Sequence, residues 1–284
     1  MSLKNKSIRE DYLNLIDKIS ASIKIPRITD IYIPSIEKGG VITQKNAFGA
    51  IVLGEKFVGI IYINLTYNAF IGVEIHLRAY IGKDPIEVAK KFSSSNEIEK
   101  TIALGAINAI SQFILQKSNY SYQTSKDSLG GLNPTPTDKI GMVGFFPPLV
   151  KQLEEMKIPL TIIEKKELFI SENKFWKVTL DPSALNDRNK VLCTSTVVLN
   201  ESVDDILSNC LSAEKIAIVG PTGGYLPDPL FERGISVVGG TKINNAELFL
   251  KLLRSNQRWG PATVKYIMNK ENYPGLDNLL KSIK

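Results

Sequence analysis

Lys190-Val191-Leu192-Cys193-Thr194-Ser195-Thr196 and Ile216-Ala217-Ile218-Val219-Gly220-Pro221-Thr222-Gly223-Gly224 decide how this chain folds. Each is a short apolar run that ends in hydroxyl or glycine residues, and a segment of helical pattern, Val203 to Cys210, separates them. Strands that are apolar on both faces need cover on both faces, and helices packed on a parallel sheet supply it. The pattern continues outward. Ile140-Gly141-Met142-Val143-Gly144-Phe145 and Leu160-Thr161-Ile162-Ile163 precede these strands, and Ile235-Ser236-Val237-Val238 follows them. Leu149 to Met156 and Asn245 to Arg254 read as the accompanying helices. The alternation predicts an α/β region with a doubly wound, mostly parallel sheet.

The first half reads differently. Ile8, Tyr12, Leu15, Ile16, Ile19 and Ile23 are spaced for a helix that Pro26 ends. Short β-rich runs follow between Ile28 and Tyr80, among them Ala50 to Leu53, Phe57 to Tyr62 and Val73 to Leu77, and predict an antiparallel meander. Asp84-Pro85 has the form of a helix cap and first turn. A longer helix, about Asn96 to Gln116, carries Gly105 and Asn108 in its interior. They either admit a neighbouring backbone or face a ligand. Ser118 to Asp138 is poor in aliphatic residues and rich in turn formers, which places a boundary there: an α+β domain over 1–125 and the sheet domain over 126–284.

Composition narrows the function classes. The formal charge is +6, but the lysines are interspersed with acids, so no basic stripe for nucleic acid is present. No apolar run approaches the roughly 18 residues of a membrane span, and no leader pattern opens the chain, which leads us to expect a cytoplasmic protein with no membrane partner. Cys193 and Cys210 are the two cysteines and His76 the single histidine. A conventional zinc site is poorly supplied.

In a parallel sheet the ligand crevice lies beyond the carboxyl ends of the strands. Three post-strand segments are therefore candidates: Thr194-Ser195-Thr196, Gly220-Pro221-Thr222-Gly223-Gly224 and Gly239-Gly240-Thr241. Their glycines let backbone N–H groups approach a ligand and their hydroxyls donate or accept. Tight turns alone would use the same residues. Asp228 and Glu232 are candidates for proton transfer or a hard cation, and otherwise serve as turn and helix-start carboxylates. His76 alternates with Glu74 and Arg78 on one expected strand face, either as a titratable row or as a solvent side. Neither a P-loop nor a dinucleotide fingerprint occurs, and Gly141-x-x-Gly144 does not supply one.

Gly105-Ala106-Ile107-Asn108-Ala109, Gly141 to Pro148, Thr194 to Asn200, and Val219-Gly220-Pro221-Thr222 continuing to Pro227-Asp228 and Phe231 together resemble a prokaryotic family described as heavy-metal-chelation proteins. The resemblance implies an enolase-N-terminal-like domain followed by a Rossmann-like domain, a site between them, and a role in metal handling or cobalamin-related metabolism. The expected function is binding of a small anionic or metal-chelating ligand in that cleft, contacted by residues 220–224, 194–196 and Asn108, with a metal ion or metal chelate as the cofactor class. The alternatives are an enzyme acting on such a ligand through Asp228, Glu232 or His76, and an assembly or scaffold protein whose cleft is incidental; the protein partner expected is a second copy of the chain, in a homo-oligomer.

Overall fold

The computed structural model describes residues 6–34, 48–63, 77–124, 129–165 and 167–283. Helix α1 (Ile8–Ser22) opens with a capping box in which Ser7 and Glu10 satisfy each other's backbone N–H groups. Strands β1 (Ile28–Tyr32), β2 (Phe48–Leu53) and β3 (Phe57–Tyr62) form the expected antiparallel meander. His76, Glu74 and most of the expected strand Val73 to Leu77 lie outside the described residues. Arg78 begins a 3-10 turn, Arg78–Tyr80, so the strand does not reach it. Helix α2 (Pro85–Lys90) is capped by Asp84, and α3 (Glu97–Lys117) by Asn96.

The second sheet holds eight strands. They are β4 (Gln123–Thr124), β5 (Ile140–Val143), β6 (Leu160–Ile163), β7 (Trp176–Thr179), β8 (Lys190–Thr194), β9 (Lys215–Val219), β10 (Val237–Ile243) and β11 (Thr263–Asn269). Helices α4 (Pro147–Glu155), α5 (Val203–Ser208), α6 (Asp228–Glu232), α7 (Ala246–Arg254) and α8 (Leu276–Ile283) accompany them. The spatial order is β4-β11-β10-β9-β8-β5-β6-β7. The run from β10 to β7 is parallel, and β11 and β4 close one side antiparallel. Numbered along the chain, the six parallel strands stand 3-2-1-4-5-6, the doubly wound order, and direction reverses between β5 and β8.

Strand alternation assigns the two faces. Val191, Cys193, Ile216, Ile218 and Val238 join the core that contains α1 and α3, whereas Leu192, Ala217 and Val237 join the core under α4. In the first sheet, Ile51 and Ile61 face α3, and Ala50, Val52, Val58 and Ile60 face Phe249 and Leu253 of α7. The first sheet is thus held between a helix from its own half and one from the far half. Helix α3 is apolar enough in length and composition to cross a membrane, but it is the central core helix and mostly buried.

Gly239-Gly240-Thr241 corrects one expectation. These residues do not follow a strand: they lie inside β10, paired with Ile267, Tyr266 and Lys265. A Cβ on Gly240 would overlap Gly223 O, and one on Gly223 would overlap Gly239 O, so the glycines are needed where the loop after β9 presses on β10.

At the opposite, amino-terminal end of the sheet, the buried Asp138 accepts hydrogen bonds from Lys190 Nζ (2.8 Å), Asn189 Nδ2 (2.7 Å) and Thr135 N (2.6 Å). Burial opposes its charge, but these donors outweigh that and hold the carboxyl well below the usual range. A depressed folded pKa stabilises above the unfolded carboxylate pKa, near 3.9, and the contribution fades as pH falls through that value toward the folded one. Asp138→Asn is expected to lose about 2 kcal/mol at pH 7, with the gap to wild type narrowing below about pH 4, as read from urea midpoints across pH.

Candidate functional site

The strand order reverses between β5 and β8, and in sheets of this order ligands sit beyond the carboxyl ends of the strands at that point. Beyond β5 the chain turns at Gly144, whose φ of +91° is a backbone conformation that favours glycine. A Cβ there would lie 3.4 Å from the Thr194 side chain, so Gly144 and the end of β8 face each other directly. Thr194 caps the 3-10 turn Ser195–Val197. Its Oγ1 lies 3.0 Å from Thr196 Oγ1, and Ser195 Oγ lies 2.9 Å from Thr222 Oγ1. The two post-strand loops, distant in sequence, are therefore joined through hydroxyls.

The opposite wall comes from the first half. Ile60, Ile61 and Tyr62 of β3, and Thr101, Leu104 and Gly105 of α3, face Thr196, Leu199 and Thr222 across a narrow slot with no interior space for a water-sized sphere. The two walls are therefore in packing contact, closer than those of an open small-molecule site. Thr101, Leu104, Gly105 and Asn108 share one helical face by their spacing. Asn108, one turn beyond Gly105, ties the two walls: Nδ2 donates to Ile60 O (2.9 Å) and to Thr222 O (3.1 Å). Its Oδ1 is buried without a hydrogen-bond partner. Gln112 Nε2 donates to Gly224 O (2.9 Å), and Leu226 N donates to Ser111 Oγ (3.0 Å). Gly223 and Gly224 are consequently buried against α3 and β10, while Gly220 and Pro221 are half-buried beside Ser195.

One carboxylate belongs to this end of the sheet and was not singled out from sequence. Glu164 follows β6 and accepts hydrogen bonds from Phe145 N (2.6 Å) and Lys165 N (3.1 Å), holding the turn after β5 in place. Burial raises the Tyr62 phenol above its ordinary range, and the Glu164 charge raises it further. The signal available in the sequence was position: Glu164 stands directly after an apolar strand, yet it also opens the charged run Glu164-Lys165-Lys166-Glu167, which reads as solvated surface.

The acid candidates stand elsewhere. Asp228 accepts from Tyr273 Oη (2.7 Å) and Leu276 N (2.8 Å), which fastens α8 to α6. Glu232 is exposed at the end of α6. Neither lines the slot.

Residues 129–267 match the family model of DUF364, whose description is "Putative heavy-metal chelation". Just under half of the chain is thus similar to a DUF364 domain. A crystal structure of a DUF364 protein of unknown function from Pyrococcus horikoshii superposes with a TM-score of 0.67 at 19% identity, covering 92% of this chain and 98% of that one. A second DUF364 structure, from Desulfitobacterium hafniense DCB-2, gives 0.68 at 18% identity with the same coverage of each chain. At these identities the likeness shows a shared fold, and it extends well beyond the DUF364 domain into the first half. An uncharacterized protein of Methanocaldococcus jannaschii is 27% identical over 195 residues, 67% of this chain and 74% of that protein.

Proposed function

We propose that this protein binds a small anionic or metal-chelating ligand at the strand-order reversal, between the DUF364 domain and the wall formed by β3 and α3. The observation that carries this reading is the meeting of Gly144 and Thr194 at the point where the strand order reverses, with Thr196 joined to Thr194, and Thr222 to Ser195, by hydroxyl contacts. The positive φ at Gly144 permits the turn that sets the end of β5 against Thr194, and threonine hydroxyls can donate or accept. Tyr62 supplies a phenol from the opposite wall. The division into domains at 125/126 belongs to the same reading. The family description supports the chelating class of ligand.

Native mass spectrometry of protein purified anaerobically and without chelators tests this. A reproducible non-covalent adduct is expected on the wild type. The Thr194→Val, Thr196→Val double variant keeps side-chain volume and removes two hydroxyls, and it should lose the adduct while unfolding at a similar temperature. An adduct of unchanged occupancy on that variant would remove the site from the reversal point.

A further inference from the structure

We infer that the described residues provide no heavy-metal site from their own side chains, so that a metal bound by this protein arrives with its coordination already filled by an organic chelator. The first part stands on donor chemistry alone. The second rests on the ligand-binding reading above.

Heavy and borderline metals are held by thiolate and imidazole, usually three or four donors converging on one point. The 284 residues offer two cysteines and one histidine. Cys193 sits in the middle of the sheet, level with Val143 on one side and Ile218 on the other, and is 2% exposed. Cys210 follows α5, with its Sγ donating to Ile206 O (3.2 Å) inside the same apolar core. A metal takes the thiolate, not the thiol. Burial pushes the Cys210 thiol up to about 11, and burial reinforced by Cys210 pushes Cys193 higher still. At neutral pH, four pH units below the Cys210 value, the thiolate of that residue carries a handicap on the order of 10⁴-fold.

The carboxylates do not replace them. Among the described residues no three His, Cys, Asp or Glu side chains converge on a point. The shielded carboxylates are already taken: Asp138 by Lys190, Asn189 and Thr135, Glu201 by Arg9 and Lys100, and Asp228 by Tyr273 and the Leu276 N–H. A cation entering any of these places would have to displace an ammonium, a guanidinium or a satisfied hydrogen bond. The slot itself offers neutral oxygens from Thr101, Thr196, Thr222 and Tyr62, weak partners for a soft ion and good ones for the polar rim of an organic ligand, and the Glu164 carboxylate near Tyr62 already accepts from Phe145 N and Lys165 N.

The test is equilibrium dialysis of the full, reduced, anaerobic chain against Cd²⁺, Zn²⁺ and Cu⁺ as bare ions at roughly micromolar free concentration, a level that saturates a structural multi-donor site. Occupancy far below one ion per chain is expected, with no thiolate-to-metal charge-transfer band for Cd²⁺ in the ultraviolet. Stoichiometric Cd²⁺ binding with that band overturns the inference, and its loss in Cys193→Ala or Cys210→Ser would identify the ligand. Stoichiometric uptake lost in His76→Ala overturns it equally, through the histidine. If bare ions fail to bind and the mass-spectrometric adduct is also absent, the donor argument stands and the crevice reading falls. If bare ions bind while the threonine variant alone loses an adduct, the outcome is the reverse.

Discussion

Residues 129–267 produced alone, the span of the DUF364 domain, are expected to show no cooperative unfolding transition in urea or heat, whereas the full chain unfolds cooperatively. The loop after β9 is finished by α3, which lies outside that span: Asn108, Ser111 and Gln112 bond to Thr222, Leu226 and Gly224 in sequence. Tyr12 of α1 adds a bond to Leu226 O (3.2 Å). Without these helices, Tyr225, Leu226 and Tyr266, all essentially inaccessible in the intact protein, face water, and each large side chain so exposed costs about 1.5–3 kcal/mol. The cut also removes Met268 and Asn269 from β11 and all of β4, its edge partner. A few such losses equal the whole 5–15 kcal/mol stability of an ordinary domain. Near-ultraviolet circular dichroism of the fragment through a urea series decides the matter. A sigmoidal transition with a slope suited to its length would show that α3 is dispensable.

The second large effect is expected at Gly59→Ala. Helix α3 crosses β3 so closely that a Cβ on Gly59 would overlap both Gly105 O and Ala109 N. Both are backbone atoms of a rigid helix, which cannot turn aside as a side chain could. Displacing the helix would loosen Asn108, Ser111 and Gln112 from the loop they hold. We expect a loss of about 3 kcal/mol or more, at the upper end of overpacking effects, together with loss of the ligand adduct. Gly260→Ala is the control, since nothing lies within 4 Å of a Cβ there and its φ is not positive. A Gly59→Ala midpoint within error of wild type would mean that α3 can shift without cost.

Glycine at 105 was read from sequence as admitting a neighbouring backbone or facing a ligand; the Ile61 and Ile51 side chains fill the space that its missing Cβ leaves, and the close backbone approach is made by Gly59 toward Gly105 O. Strands β5, β6, β8 and β9 were legible because both of their faces are buried and their apolar runs are continuous. Strand β7, Trp176-Lys177-Val178-Thr179, escaped notice because Val178 is its one buried residue. Strand β11 escaped because its antiparallel pairing leaves Lys265 exposed amid apolar neighbours. The Gly239-Gly240 pair was misplaced for a different reason: the pressure of Gly223 on β10 is a tertiary contact, and residue type alone does not distinguish a loop glycine from a crowded strand glycine. Thr194 and Thr196 were legible as post-strand hydroxyls. Gly144 was read only within a motif, because its place beside Thr194 depends on β5 and β8 being neighbours across 46 intervening residues.

The ties between the two halves also bear on kinetics. Arg9 and Lys100 grip Glu201, Arg233 joins Asp11 to Asp204, and Arg254 reaches Asp30, in addition to the bonds from α3. Among the described residues the walls are pinned at several points, which opposes their swinging apart, so a ligand in the proposed crevice would not be clasped by closure. Association would then proceed in a single step, with a rate linear in ligand concentration and no slow conformational phase, and relatives of this architecture would differ in residence time far more than in speed of capture.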